Sequence, residues 1–366
     1  MRNLFFLSVV IFIYACKTKT AEEYKVITEN PAFIHEAYEK LTDVIIHDIF
    51  SPPVSARIYG YASIAGYEAL IANNPNYQTV GGQLRGLGVF PKMEEGKEYC
   101  SSLASVKAIM TIARALTFTV NKYDEFEKQT YKKFKDAGVP SDVYDRSIKY
   151  GEAVAKHVLA YSKKDNYLQT RGLRYTVKAE GNSWVPTPPQ YADAMEPYWP
   201  TIRPMLMDSA SQFPPRPVIP YSKDPKSPYW KELLKVYETV NNLTKEQKDI
   251  AWFWDDNAFV MNVQGHVMFA NKKMTPAGHW MAITRTSCQQ NNKDIYEAAD
   301  AYLRVSVSLF DGFISSWFEK YKSEKIRPET VINSEFDPKW MPFLQTPPFP
   351  EYTSGHSTIS AAAAEA

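Results

Sequence analysis

Apolar residues recur at helical spacing through most of the chain. Between Pro31 and Ile49 they fall at Phe33, Ile34, Ala37, Leu41, Val44, Ile45 and Ile49, the stripe of one helix face. Pro52-Pro53 breaks that stripe and, because proline is tolerated in a first helical turn, starts a second one through Ile58, Tyr61, Ala65 and Leu70. Asn73-Asn74-Pro75 ends it, and a glycine-rich connection runs from Gly81-Gly82 to Gly88. Residues 101–120 are apolar with a helical period, and residues 123–137 are charged and amphipathic. Ser141-Asp142 predicts the cap of a further helix to about Tyr161, with Ile148, Ala153, Ala155 and Val158 on its core face. Residues 31–162 are thereby predicted to form a helical bundle.

The pattern then changes. Prolines cluster between Pro186 and Pro220, interleaved with Trp184, Tyr191, Tyr198 and Trp199. Residues 163–228 therefore read as a long ordered connection that covers a site or packs one bundle on another. A platform for carbohydrate or aromatic ligands is the other reading. Helices resume near Tyr229, and Thr244 can cap one running through Ala251 to Asn257. From Asp294 a long helix is predicted to about Ile326, with Ile295, Ala299, Tyr302, Leu309, Phe313 and Trp317 on one face. No stretch reads as a strand. The expected fold is all-α: two packed helical bundles, residues 31–162 and 229–366, with residues 163–228 between or over them.

The N-terminus adds a destination. Met1-Arg2-Asn3, an apolar run from Leu4 to Tyr14 and then Ala15-Cys16 have the form of a bacterial lipoprotein signal over residues 1–16. Cys16 would carry the lipid, and residues 17–30 would be a tether. The body is then expected on the bacterial cell envelope, periplasmic or outer-membrane side, held to the membrane by its anchor. Only Cys100 and Cys288 remain beyond Cys16, too few for a disulfide framework; they could pair or be two buried thiols. Lys and Arg number 42 against 41 Asp and Glu, so no basic surplus points to nucleic acid.

The candidate chemistry lies between Trp317 and His356. Lys320 falls on the apolar stripe of the long helix, where an ammonium is costly to bury unless an anion meets it. Arg327 follows seven residues later, about two helical turns, which would place both cations on one face. Lys322 and Lys325 are expected to carry their charges out to solvent. Pro328 would end the helix and open a loop. Farther on, Ser354-Gly355-His356 precedes an alanine-rich run that favours helix, so backbone N–H groups would stand at the positive end of a helix dipole. Two cations, a helix N-terminus and a histidine together suit a tetrahedral oxyanion.

This pattern resembles the family that joins vanadium-dependent haloperoxidases with type 2 phosphatidic acid phosphatases (PAP2). Lys320, Arg327 and Pro328 match its Lys-x6-Arg-Pro motif. Ser354, Gly355 and His356 match its Pro-Ser-Gly-His motif, with Thr353 in place of the proline. The third motif, Ser-Arg-x5-His-x3-Asp, is not in the sequence, which gives the expectation of a truncated, inactive chain lacking the histidine that ligates vanadium directly or attacks phosphorus.

The resemblance implies vanadate as cofactor, held by Lys320, Arg327, Ser354 and Gly355, with His356 as the acid–base. It implies Trp317 and Phe349 beside a halide, and hydrogen peroxide and halide as substrates. An acid-phosphatase-type enzyme acting on a phosphate ester is the alternative within the family. A non-catalytic surface lipoprotein binding glycan or a partner is the alternative outside it. Asp255 and Asp256 either face water at a helix end or, one of them, orient a catalytic arginine or histidine as a buried carboxylate does in the family. His279 either lines the mouth of the site or is structural.

Overall fold

The computed structural model describes residues 20–178, 181–258 and 260–366. The lipoprotein signal and Cys16 lie outside the described residues. Thirteen α-helices and one β-hairpin form among the described residues. The first group is α1 (Ala21–Thr28), α2 (Ala32–Asp48), α3 (Pro52–Ile71), α4 (Ser101–Leu116), α5 (Asp124–Asp136) and α6 (Ser141–Ser162). A single turn, α7 (Tyr167–Thr170), opens the connecting segment. Then come α8 (Pro228–Asn241), α9 (Lys245–Phe253), α10 (Pro276–Gln290), α11 (Ile295–Ser323), α12 (Pro328–Glu335) and α13 (Gly355–Glu365). The architecture is all-α helical bundle, as the periodicity predicts.

The helix α3 is the centre of the packing. All twenty of its residues are buried, because α4, α6 and α11 surround it. A Cβ on Gly151 would stand 2.3 Å from the Ala104 carbonyl oxygen, so α6 approaches α4 more closely than any other side chain permits. Arg57, inside α3, is satisfied there. Its Nε donates to Asp165 at 2.6 Å, Tyr61 donates to the same carboxylate at 2.8 Å, and the guanidinium lies 4.3 Å from the Tyr167 ring centre. Tyr302, Leu309, Phe310 and Phe313 of α11 join this core, together with residues of α10 and α13. A smaller cluster of Tyr229, Leu233, Val331, Ile332 and Trp340 joins α8 to α12.

The proline-rich segment is a docked cover. Trp184 and Trp199 are 1% and 0% exposed, which removes both from any carbohydrate platform; Tyr191 stays exposed. The buried carboxylate of Asp311, on α11, accepts the amides of Met205, Leu206 and Met207 at 2.7, 2.8 and 2.9 Å. Met195 is latched to the other end of α11: its carbonyl accepts from Trp317 Nε1 at 3.2 Å and from the Tyr321 hydroxyl at 2.6 Å.

Several expectations are corrected. The long helix stops at Ser323, where Glu324 takes a left-handed conformation at φ 46. Arg327 is therefore not on the helix of Lys320. Pro328 starts α12 rather than a loop, with Arg327 at its N-cap, consistent with proline's preference for a first turn. Lys325 does not reach solvent: it is 8% exposed, donates to the Ile219 carbonyl and lies over the Tyr229 ring. Lys322 does reach solvent, beside Glu319. Part of the tether is helical, since Thr20 and Glu23 form a capping box for α1 and Tyr24 is buried. The strands β1 (Val260–Gln264) and β2 (Val267–Asn271) pair antiparallel about Gly265, whose φ of 60 suits glycine. Cys100 and Cys288 are free, buried thiols.

Candidate active site

A cavity of about 530 Å³ opens where α11, the α11–α12 connection, the segment leading into α13, and α13 itself meet. Trp317, Lys320, Arg327, Phe349, Ser354, Gly355 and His356 all line it, so the residues singled out in the sequence converge. Arg327 reaches the cavity from the turn after α11, where the left-handed Glu324 redirects the chain.

Lys320 is 1% exposed. Its ammonium donates to the carbonyls of Pro350 at 3.0 Å, Glu351 at 3.0 Å and Thr353 at 2.5 Å. Burial, and then the charge of Arg327, hold its pKa well below the usual lysine range. Arg327 donates from Nε to the Phe349 carbonyl at 2.7 Å and from Nη2 to the Pro347 carbonyl at 3.3 Å. Burial lowers its pKa to about 10. Both cations approach the Phe349 ring, its centre 4.7 Å from Lys320 Nζ and 4.9 Å from Arg327 Cζ. Contact with an aromatic ring offsets part of their mutual repulsion.

Ser354 is the N-cap of α13. Its side chain accepts the Ser357 amide at 3.2 Å and its carbonyl accepts the Thr358 amide at 3.2 Å. Gly355 and His356 precede the first intrahelical bond, so their amides are the ones a ligand at the helix end would meet. A Cβ on Gly355 would sit 3.6 Å from the Trp317 ring and 3.9 Å from Lys320 Cε, projecting over the floor of the cavity.

His356 is half exposed, and its Nε2 lies 3.7 Å from Asp256 Oδ2. The same carboxylate meets His279 Nδ1 at 3.1 Å. His279 stacks on Trp254, ring centres 4.8 Å apart, with Phe253 at its edge. His279 thus stands behind Asp256 rather than in the cavity lining. Asp255 turns elsewhere, to Lys273 at 2.5 Å. Of the two adjacent acids, Asp256 belongs to the site.

The sequence reading missed Glu351, Met195 and Phe313 as cavity residues. Glu351 was within reach of the motif, three positions before Ser354. Met195 carries no local signal, because only the docking of the cover brings it there.

The donor set fits a tetrahedral oxyanion. Two cations, two amides at a helix N-terminus, a serine and a histidine share one cavity, and a glycine leaves the space. Two of the five guanidinium N–H groups of Arg327 are bonded to carbonyls, which leaves the fork partly available.

Comparison with curated protein sequences finds no match. A family profile described as the VCPO second helical-bundle domain matches residues 300–366. Among solved structures, a bacterial vanadium-dependent iodoperoxidase shares 41% identity with a TM-score of 0.85, over 92% of this chain and 80% of that one. A holo-type bacterial vanadium-dependent chloroperoxidase shares the fold at 15% identity and a TM-score of 0.61, over 95% of this chain and 78% of that one. Identity at the level of the first relative, over most of both chains, makes this protein a member of the vanadium-dependent haloperoxidase family.

Proposed function

We propose that this protein binds orthovanadate in the Lys320–His356 cavity and oxidises a halide with hydrogen peroxide. The observation that carries the reading is the convergence of Lys320, Arg327 and the N-terminus of α13 on one cavity walled by Trp317 and Phe349. Arg327 offers a planar fork to two oxygens, Lys320 a buried positive charge, Ser354 a hydroxyl and Gly355 an amide. Together they neutralise charge on an oxyanion in a partly dry site, where each contact is stronger than in water. Bound vanadate would supply a Lewis-acidic centre that activates peroxide toward the halide. His356, beside Asp256, would give and take a proton at the bound anion. Trp317 and Phe349 present the apolar surface on which a large, weakly hydrated halide rests. The 41% identical relative is an iodoperoxidase, so iodide is the halide of choice for a first test.

The sequence holds no histidine after His356 and no Ser-Arg-x5-His-x3-Asp. Iodide and bromide oxidation with vanadate and peroxide, and p-nitrophenyl phosphate hydrolysis, test the proposal. Vanadate-dependent iodide oxidation supports the reading. Phosphate-ester hydrolysis without halide oxidation replaces it with the phosphatase alternative. Glycan binding that survives loss of Lys320 and Arg327, with neither activity, replaces it with the non-catalytic one.

A further inference from the structure

Glu351 enters the cavity from the segment that also carries Phe349. Its amide donates to the Lys325 carbonyl at 3.0 Å and its carbonyl accepts from Lys320 Nζ at 3.0 Å, so its backbone is fixed on both sides. Glu351 lines the cavity. The charges of Lys320 from α11 and of Lys325 and Arg327 from the α11–α12 connection act on its carboxyl, and that carboxyl acts on Tyr229 from α8. Asp256 and His356 line the same cavity. The three cations direct N–H groups elsewhere: Lys320 and Arg327 to carbonyls of residues 347–353, and Lys325 to the Ile219 carbonyl.

An acid in an oxyanion cradle has opposite effects in its two states. Ionised, it repels the incoming anion across a half-dry cavity. Protonated, it is an O–H donor that an oxyanion oxygen accepts. We propose that Glu351 couples oxyanion binding to proton uptake: a tetrahedral oxyanion enters as one solvent proton adds to the Glu351 carboxylate, which then donates that hydrogen to the anion. The anion itself gains and loses no bond. The proposal rests on the reading of the cavity as an oxyanion site. Burial already raises the Glu351 carboxyl above the usual glutamate range, against the pull of Arg327, Lys325 and Lys320.

The coupling is read by calorimetry with molybdate, a tetrahedral dianion that stays unprotonated around neutral pH. Molybdate is titrated into the wild type and Glu351→Gln, each also carrying His356→Ala so that the histidine adds no proton. Two buffers of different ionisation enthalpy give the proton count. With Glu351 present, about one proton per anion is taken up, and affinity falls about tenfold per pH unit as Glu351 ionises. Glu351→Gln shows neither. An equal proton count and equal pH slope in both proteins overturn the proposal. So does a proton count of zero with Glu351 present, which needs no Glu351 variant to fold. Arg327→Ala separates the two readings: it should lose molybdate at every pH, and unchanged binding there removes the oxyanion site itself.

Discussion

Asp256 Oδ2 stands 3.7 Å from His356 Nε2 and 3.1 Å from His279 Nδ1. One buried acid thus serves two histidines, and only His356 of the pair lines the cavity. Asp256→Ala should release His356 from a fixed orientation and lower halide oxidation about tenfold to a hundredfold, the range for residues that hold a site's ligands in place. His279→Gln, which keeps a donor for Asp256, should lose much less than His279→Ala. Steady-state rates on the four proteins check this; equal rates for His279→Gln and His279→Ala would remove His279 from the arrangement.

Lys320 is predicted to make stability rise with pH in mildly alkaline solution. Its folded pKa lies well below the ordinary lysine value, because burial and Arg327 disfavour the charge. Between that value and about 10.4 the unfolded chain binds the extra proton, so unfolding becomes harder as pH rises. Lys320→Met lacks this rise, and urea midpoints over that range compare the two.

Asp311 should be worth more than an ordinary surface acid. It is 6% exposed and accepts three consecutive amides of the cover. Asp311→Ala leaves those N–H groups without an acceptor, at a cost of about 2–4 kcal/mol. Chemical denaturation measures the loss, and protease cutting within residues 195–215 should accelerate in parallel.

Cys16 is expected to be the first residue of the mature protein and to carry lipid. Mass spectrometry of the membrane fraction decides this, and an unmodified N-terminus upstream of Cys16 refutes it.

Much of the scaffold was legible because its signals are local. Pro52-Pro53 starts α3, Thr244 and Gln247 cap α9, and Asp294 caps α11 with Glu297. The cavity residues were legible through two short motifs, although by a partly wrong route. Lys320 and Arg327 meet because the chain turns at Glu324, and a glutamate gives no sequence sign of a left-handed backbone. The hairpin was readable in principle: two apolar runs flank Gly265-His266, a two-residue turn. Lys325 and Met195 were not readable, since each owes its position to the docking of a distant segment.

Lys320 and Arg327 are both held by main-chain oxygens of residues 347–353, a stretch containing Pro347, Pro348 and Pro350. Proline has a carbonyl but no N–H. From Pro347 to Pro350 the only amide proton belongs to Phe349, and it is given back to the Pro347 carbonyl. Pro347 to Pro350 is therefore rich in acceptors and poor in donors, able to solvate the Arg327 guanidinium and one N–H of Lys320 with little competition. That solvation comes from main-chain dipoles and not from a carboxylate. Pro347 and Pro350 supply two of the five main-chain oxygens that stand in for water around the two positive groups.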